Sequence, residues 1–292
     1  MANSLWTTGG LSLWQLAGNV VRAIRDDDLL GRASGLAFNF LLAFFPFLLF
    51  LLVLFGLFAS RSSQLEARFL FYFAHVLPPA AFQLLTQIAG ELSLDPSGGK
   101  LTFSIALALL FASGGLGSMI YALNDISSVP DSRSWLRIRA TALMLTIVLT
   151  IFLLFALFTV LAGTRLMDWL GAMLNLEATS VFLSKAIQWP LAMLFLTVSF
   201  SLIYYFGRDA KSRRWHWISP GSLVGVLLWL LASVGFRIYL NYFDTYNLTY
   251  GSLGAVMILL TWMYVSGFAF LVGREIDAEI ERATSVSLSS NG

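Results

Sequence analysis

Hydrophobic positions along this chain fall into long unbroken runs separated by short polar intervals. Charge-free runs cover residues 36–59, 101–123, 140–164, 186–207, 218–236 and 251–273. A run of that length, wound at ~1.5 Å per residue, reaches roughly 30–35 Å as a helix, enough to cross the ~30 Å hydrocarbon core of a bilayer. The last run ends most sharply, because Arg274, Glu275, Asp277, Glu279, Glu281 and Arg282 follow it at once. Barrel strands would be short and would alternate apolar with polar residues. The pattern predicts an all-α, polytopic membrane protein with six transmembrane helices, the fifth continuing to residue 242, and additional amphipathic interfacial helices.

The intervals refine that picture. In the N-terminal segment 1–35, Leu13, Ala17, Val20 and Ile24 recur at helical spacing with Arg22 and Arg25 on the other side. This reads as a cytosolic amphipathic helix, lying on the membrane surface or packed on the end of the bundle. Asp28 is placed to cap the helix that follows. Within 61–100, Leu65, Phe69, Phe73 and Val76 form one amphipathic stripe, and Phe82, Leu85, Ala89 and Leu92 form another after Pro78 and Pro79. They predict two outer helices at the mouth of the bundle. The six-helix domain is then 36–273, and 274–292 is a cytosolic tail whose acidic residues form a solvated helix end.

Composition agrees. The chain is 58% hydrophobic and only 12% charged, against about 25% charged in soluble domains, and its mean hydropathy is +0.79. The net charge of +2 is better explained by membrane orientation than by a nucleic-acid partner. Twelve of the eighteen Lys and Arg residues lie on the side that holds both termini, in the segments around Arg22–Arg32, Arg133–Arg139, Arg208–Arg214 and Arg274–Arg282. Basic residues favour the cytoplasmic face, so both termini are expected inside a bacterial plasma (inner) membrane. Arg208, Lys211, Arg213 and Arg214, with Trp215 and Trp217, have the composition of an anchor for anionic lipid headgroups. There are no cysteines, which excludes disulfide and thiol chemistry.

Enzyme chemistry finds little support. His75 and His216 fall on opposite faces of the membrane in this topology, and no phosphate-binding loop, nucleophile elbow or zinc motif appears. No catalytic residue, metal site or cofactor is expected. Polar groups in or beside the spans are the better candidates, because burying them is expensive. Arg237, Asn241 and Asp244 share one helix face at the outer end of the fifth span, followed by Tyr246, Asn247 and Tyr250. They form either an aromatic belt with one ion pair or a polar pocket that holds a solute. Gly114 and Gly115 in the second span, and Gly251 and Gly254 in the sixth, permit close packing or a helix break. Asn39 and Pro46 suggest a kink in the first span. Arg32 and Glu275 sit at the same membrane face and are expected to pair, with a base of the 208–214 loop as the other candidate partner for Glu275.

The segment 249–280, TYGSLGAV followed by an aromatic-studded span and G-x-E-I-x-A-E-I, resembles the YihY/BrkB family of bacterial inner-membrane proteins, once mislabelled as a ribonuclease. The stretch RRWHWISPGSLVGVLLWLLASVGFRIYLNYF and the first span with its FFP also fit. Two departures are Arg274, where the family usually has a small residue, and Asp277, where an uncharged polar residue is more usual. The resemblance implies a six-helix inner-membrane protein and lends little on activity. The expected role is a transporter, exporter or lipid-handling protein for an unknown polar or anionic solute. The alternative is a non-transporting scaffold that binds an envelope partner. Oligomeric state is open.

Overall fold

A computed structural model of the chain describes residues 10–59, 98–126, 131–173, 177–209, 218–242 and 252–290. Seven helices occupy them, with no strand among the described residues: α1 (Leu13–Asp26), α2 (Leu29–Ala59), α3 (Gly98–Ile126), α4 (Trp135–Met173), α5 (Glu177–Gly207), α6 (Pro220–Tyr242) and α7 (Ser252–Ser290). Helices α2 to α7 pack in chain order, and α7 closes back on α2, so that the six form a ring; α3 also touches α5 and α7. Four helices contain windows long and apolar enough to cross a membrane among the described residues, in α3, α4, α6 and α7. Shorter apolar stretches lie in α2 (Leu29–Phe44) and α5 (Met193–Gly207). Apolar side chains also face outward at helical spacing. Met144, Ile147, Ile151 and Phe155 do so on α4, and Leu223, Leu227, Leu231, Val234 and Ile238 on α6. Such stripes suit lipid as the surrounding solvent.

α1 starts at a reciprocal cap, in which the Ser12 hydroxyl accepts from the Gln15 amide while Gln15 accepts from the Ser12 amide. Its buried stripe is Leu16, Val20 and Ala23, turned from the expected Leu13–Ala17–Val20–Ile24 line; Leu13 is 75% exposed. The rotation follows from its partners, since α1 packs on α7 and α2 at one end of the ring. Of the two placements considered for this helix, the structure has the bundle end. Asp28 adopts φ +47° and its carboxylate accepts from the Gly31 amide at 3.2 Å, so it caps α2 as expected. Asn39 donates to the carbonyl of Gly35 at 2.8 Å within its own helix, and Pro46 lies inside α2. The two outer helices of 61–100 fall almost wholly outside the described residues.

The helices come together most tightly where α6 begins. Gly221, Gly225 and Gly273 bring α6 and α7 into backbone contact. A Cβ on Gly273 would meet the Gly221 carbonyl at 2.6 Å, the Tyr204 hydroxyl at 2.6 Å and the Gly225 Cα at 2.9 Å. This is the small-residue packing that membrane helices use in place of a hydrophobic drive. It occurs at glycines that the sequence reading had not singled out. At Gly115 the expected close approach is present, with Phe40 and Ala43 of α2 against it.

Candidate functional site: a buried charge network at one end of the bundle

Five helix ends and the middle of α7 meet on the side where α1 packs, and each brings unpaired backbone groups or charges that need partners. The N-terminus of α6 is the most completely capped. Ser219 and Ser222 exchange side-chain and backbone hydrogen bonds at 3.0–3.1 Å, and Pro220 occupies the first turn, where its missing N–H costs nothing. The Asp277 carboxylate, carried by α7, accepts from the Gly221 amide at 2.8 Å. A carboxylate there also complements the positive end of the helix dipole. Tyr204 donates to the Phe270 carbonyl at 2.6 Å, tying α5 to α7 beside the glycine contact.

The C-terminus of α5 is served by residues from the α3–α4 connection. Arg133 donates to the carbonyls of Gly207 at 2.6 Å and Phe206 at 3.2 Å and grips Asp131 with two nitrogens, Nε at 2.8 Å and Nη2 at 2.7 Å. That side-chain bond holds the Asp131 carboxyl below its usual value, against the opposing effect of burial. Asn124 donates to the carbonyls of Ile120 and Gly207 and to Asp131, and its oxygen accepts from the Asp209 amide. Asp209 in turn accepts from the amide and hydroxyl of Ser132.

α7 supplies the remaining charges. It continues as helix well past Gly273, and Arg274, Glu275 and Asp277 are 1%, 0% and 3% exposed. The expected solvated tail is therefore corrected: the ring and α1 cover these residues. Arg208 makes a two-pronged bond to Glu281 at 2.8 and 2.9 Å, and Arg274 reaches the same carboxylate at 3.4 Å. Burial, and then the like charge of Arg274, pull the Arg208 guanidinium below its ordinary value, while Glu281 opposes them. Arg208 is thus a buried interhelical residue and not part of a lipid-facing anchor; Lys211, Arg213 and Arg214 lie outside the described residues. Arg282 is shared by Glu275 at 3.0 Å, Glu279 at 2.5 Å and Asp27 at 3.5 Å, and donates to the Ile126 carbonyl at 3.0 Å. The second oxygen of Glu275 is buried without a hydrogen-bond partner among the described residues.

The expected pair of Arg32 with Glu275 is not formed. Arg32 bonds Asp125 at 2.5 Å on the rim, with the two side chains 29% and 61% exposed, and Glu275 takes Arg282 from its own helix two turns on. Of the fallback partners in the 208–214 loop, Arg208 is taken by Glu281, and Lys211, Arg213 and Arg214 lie outside the described residues. Sharing a membrane face did not pair these groups, because each is held by another partner, Arg32 by Asp125 and Glu275 by Arg282. Arg237 is exposed on α6, about 17 residues and ~25 Å along the helix from Pro220. Asn241 lies on the same helix, and Asp244, Tyr246, Asn247, Tyr250 and Gly251 lie outside the described residues. Gly254 is buried in α7. The network residues that sequence reasoning passed over are Asn124, Asp131, Arg133, Asp209, Ser219 and Ser222. Asn124 and Asp209 follow the end of a charge-free run, Asp131 and Arg133 lie in the interval between two runs, and Ser219-Pro220-Gly221-Ser222 opens the next one with a readable cap signature.

The comparisons with known proteins agree with one another. A family model described as "Virulence factor BrkB" matches residues 20–291. The chain is 30% identical over 257 residues to the "Putative ribonuclease-like protein YfkH" of Bacillus subtilis (strain 168), covering 86% of this chain and 90% of that protein. It is 29% identical over 294 residues to a "UPF0761 membrane protein" of Chlorobium limicola and 27% over 264 residues to one of Xanthomonas oryzae pv. oryzae, covering 97% and 87% of this chain. It spans 62% and 58% of the length of those two relatives. No solved structure matches the chain. Arg274 and Asp277, which the resemblance set apart as departures from the family pattern, are both buried in the network. With a match running through almost its entire length and a helical, lipid-suited exterior, the chain belongs to the BrkB family of membrane proteins.

Proposed function

We propose that this protein is a six-span helical transporter, exporter or lipid-handling protein of a bacterial inner membrane, with both termini cytoplasmic, acting on a polar or anionic solute. The observation that carries the reading is how the network end is closed. Helices meet there through charges that share partners, Arg208 and Arg274 on Glu281, and Glu275, Glu279 and Asp27 on Arg282. Buried ion pairs give little net stability over apolar packing of the same volume. A bundle that stayed shut would gain nothing from them. A closure that opens and re-forms does gain, since separated charges recover hydration and each shared carboxylate or guanidinium keeps a partner through part of the movement. Alternating closure of this kind is how helical carriers work.

In this reading Arg237, with Asn241, Asp244, Tyr246, Asn247 and Tyr250, marks the outer solute pocket, and the network is the inner closure. Twelve basic residues toward the network side support the orientation. The role is non-enzymatic: the network carboxylates of Asp131, Asp277 and Glu281 are taken up by arginines or backbone donors instead of converging on a reactive centre. The scaffold reading keeps one observation in its favour, the backbone contact of Gly221 with Gly273, which suits a permanently packed end.

The test is uptake and efflux profiling of a deletion strain against strains restored with the wild-type chain, Arg237→Ala and Glu281→Gln, with membrane levels matched. A solute whose distribution changes on deletion and is restored only by the wild type supports transport. Profiles unchanged by deletion, with the protein present at normal level in the restored strain, would move the role to the scaffold.

A further inference from the structure

Arg139 is the fifth residue of α4, close to the network end, and a long basic side chain in that position ordinarily turns back toward water. Here it turns the other way. Its Nη2 donates to the Leu110 carbonyl of α3 at 2.5 Å, and Nη1 lies over Gly114 and Gly117, 4.0 and 3.8 Å from where a Cβ on each would be. Gly117 and Gly114 precede Asn124 by seven and ten residues, so the head group sits ~10–15 Å inside the polar level that Asn124 marks. Leu110 itself lies near the middle of the charge-free run 101–123. Two side chains reduced to hydrogen leave a shallow notch on α3 in which the guanidinium rests.

This cation is poorly provided for. A guanidinium has five N–H donors and keeps its charge at any physiological pH. Among the described residues Arg139 has a single acceptor, and that carbonyl is already shared with the Ser113 hydroxyl at 2.7 Å. No carboxylate of the described residues lies within 4.0 Å of it. By contrast, Arg133, Arg208 and Arg274 each hold a carboxylate. An intramembrane charge of this kind is costly unless something pairs with it.

We infer that Arg139 is an anion site within the apolar layer, set in the Gly114–Gly117 notch. The group it takes is a phosphate or carboxylate, presented by a lipid headgroup or by a free solute. The planar fork of donors left over after Leu110 fits two oxygens of one such group. The inference does not rest on the transport reading, because binding is an equilibrium property that a non-transporting scaffold would also show.

The experiment uses the full chain in uncharged detergent, with thermal unfolding followed during titration. One arm adds dihexanoyl-phosphatidylglycerol; the other adds sodium phosphate or sodium acetate, each against sodium chloride of equal ionic strength. Wild type should show a saturable rise in melting temperature in at least one arm. Response to the lipid alone identifies a headgroup site, and response to the small anions identifies a solute site. Arg139→Gln should weaken the apparent affinity at least tenfold, and Arg139→Lys should weaken it less, since lysine keeps the charge but loses the fork. Gly117→Leu, which fills the notch and leaves the arginine in place, should weaken it by a similar factor to Arg139→Gln. If Arg139→Gln does not fold, the lysine and leucine variants decide. Affinities equal to wild type in the variants that fold, or no saturable response in either arm, would overturn the site.

Discussion

Arg133 and Arg139 are six residues apart, both beside the start of α4, and they meet opposite fates. Arg133 turns toward the network end and spends its guanidinium on one carboxylate and two carbonyls. Arg139 turns into the apolar layer and meets one shared carbonyl. The same residue type, counted alike in any tally of basic residues along the chain, is a structural clasp in one place and an open cation in the other. The difference lies in what α3 and α5 present. The C-terminal end of α5 offers backbone acceptors, whereas the glycine face of α3 offers space.

Substitution separates the two most strongly. Arg133→Gln takes the guanidinium from Asp131 and from the Gly207 carbonyl, which keep only the Asn124 amide as a side-chain donor in a nearly buried setting, and removing one member of such a pair costs ~3–5 kcal/mol. Arg139→Gln removes a half-buried charge with a single neutral acceptor, so in the absence of added anion stability should change by less than ~1 kcal/mol. Denaturant titration of the purified proteins in mixed micelles reads both. Equal losses would erase the distinction.

Glycines sharpen the comparison at the next scale. Gly273→Ala sets a methyl against the Gly221 carbonyl and the Gly225 Cα, backbone atoms that cannot step aside, and overpacking of this kind costs ~1–3 kcal/mol. At Gly117 an added Cβ meets the Arg139 head at 3.8 Å, ordinary contact distance, so Gly117→Ala should be neutral or slightly stabilising through its better helix propensity. The same titration distinguishes them, and a destabilised Gly117→Ala would mean that the notch is tighter than it looks.

The Arg133 clasp has a pH signature that Arg139 lacks. Asp131 is held below its ordinary value chiefly by its bond to Arg133. A carboxyl with a depressed folded value contributes stability that is fully present above its unfolded value, ~3.9, and is lost as pH falls through the lower folded one. Wild type should therefore lose stability from just below pH ~4 downward. Arg133→Gln should lack that component while Arg139→Gln retains it, read as unfolding midpoint against pH. Parallel pH profiles for the three proteins would show that Asp131 does not report on the clasp.

The smallest effect is on the rim. Arg32 and Asp125 are half exposed, and such pairs couple by less than ~1 kcal/mol. A double-mutant cycle on Arg32→Gln and Asp125→Asn should show that modest coupling, whereas Arg32→Gln with Glu275→Gln should be additive, because the two side chains have different partners. Strong coupling between Arg32 and Glu275 would restore the pairing that their shared membrane face suggested.

The sequence by itself determined that the chain is helical and lipid-suited, the cap at Asp28, and family membership, because run length and cap chemistry are local properties. Tertiary structure alone decided which charges are covered. Arg274, Glu275 and Asp277 look like the wet end of a helix when read along the chain, since nothing local says that α1, α3 and α6 close over them. Pairing was equally hidden: Glu281 joins Arg208 across 73 positions and Arg282 reaches the Ile126 carbonyl across 156, choices set by how helices stagger in the ring. The direction of Arg139 belongs to the same class. A side chain five residues into a helix can turn toward water or away from it, and the missing Cβ atoms of Gly114 and Gly117, on a different helix, decide which way has room.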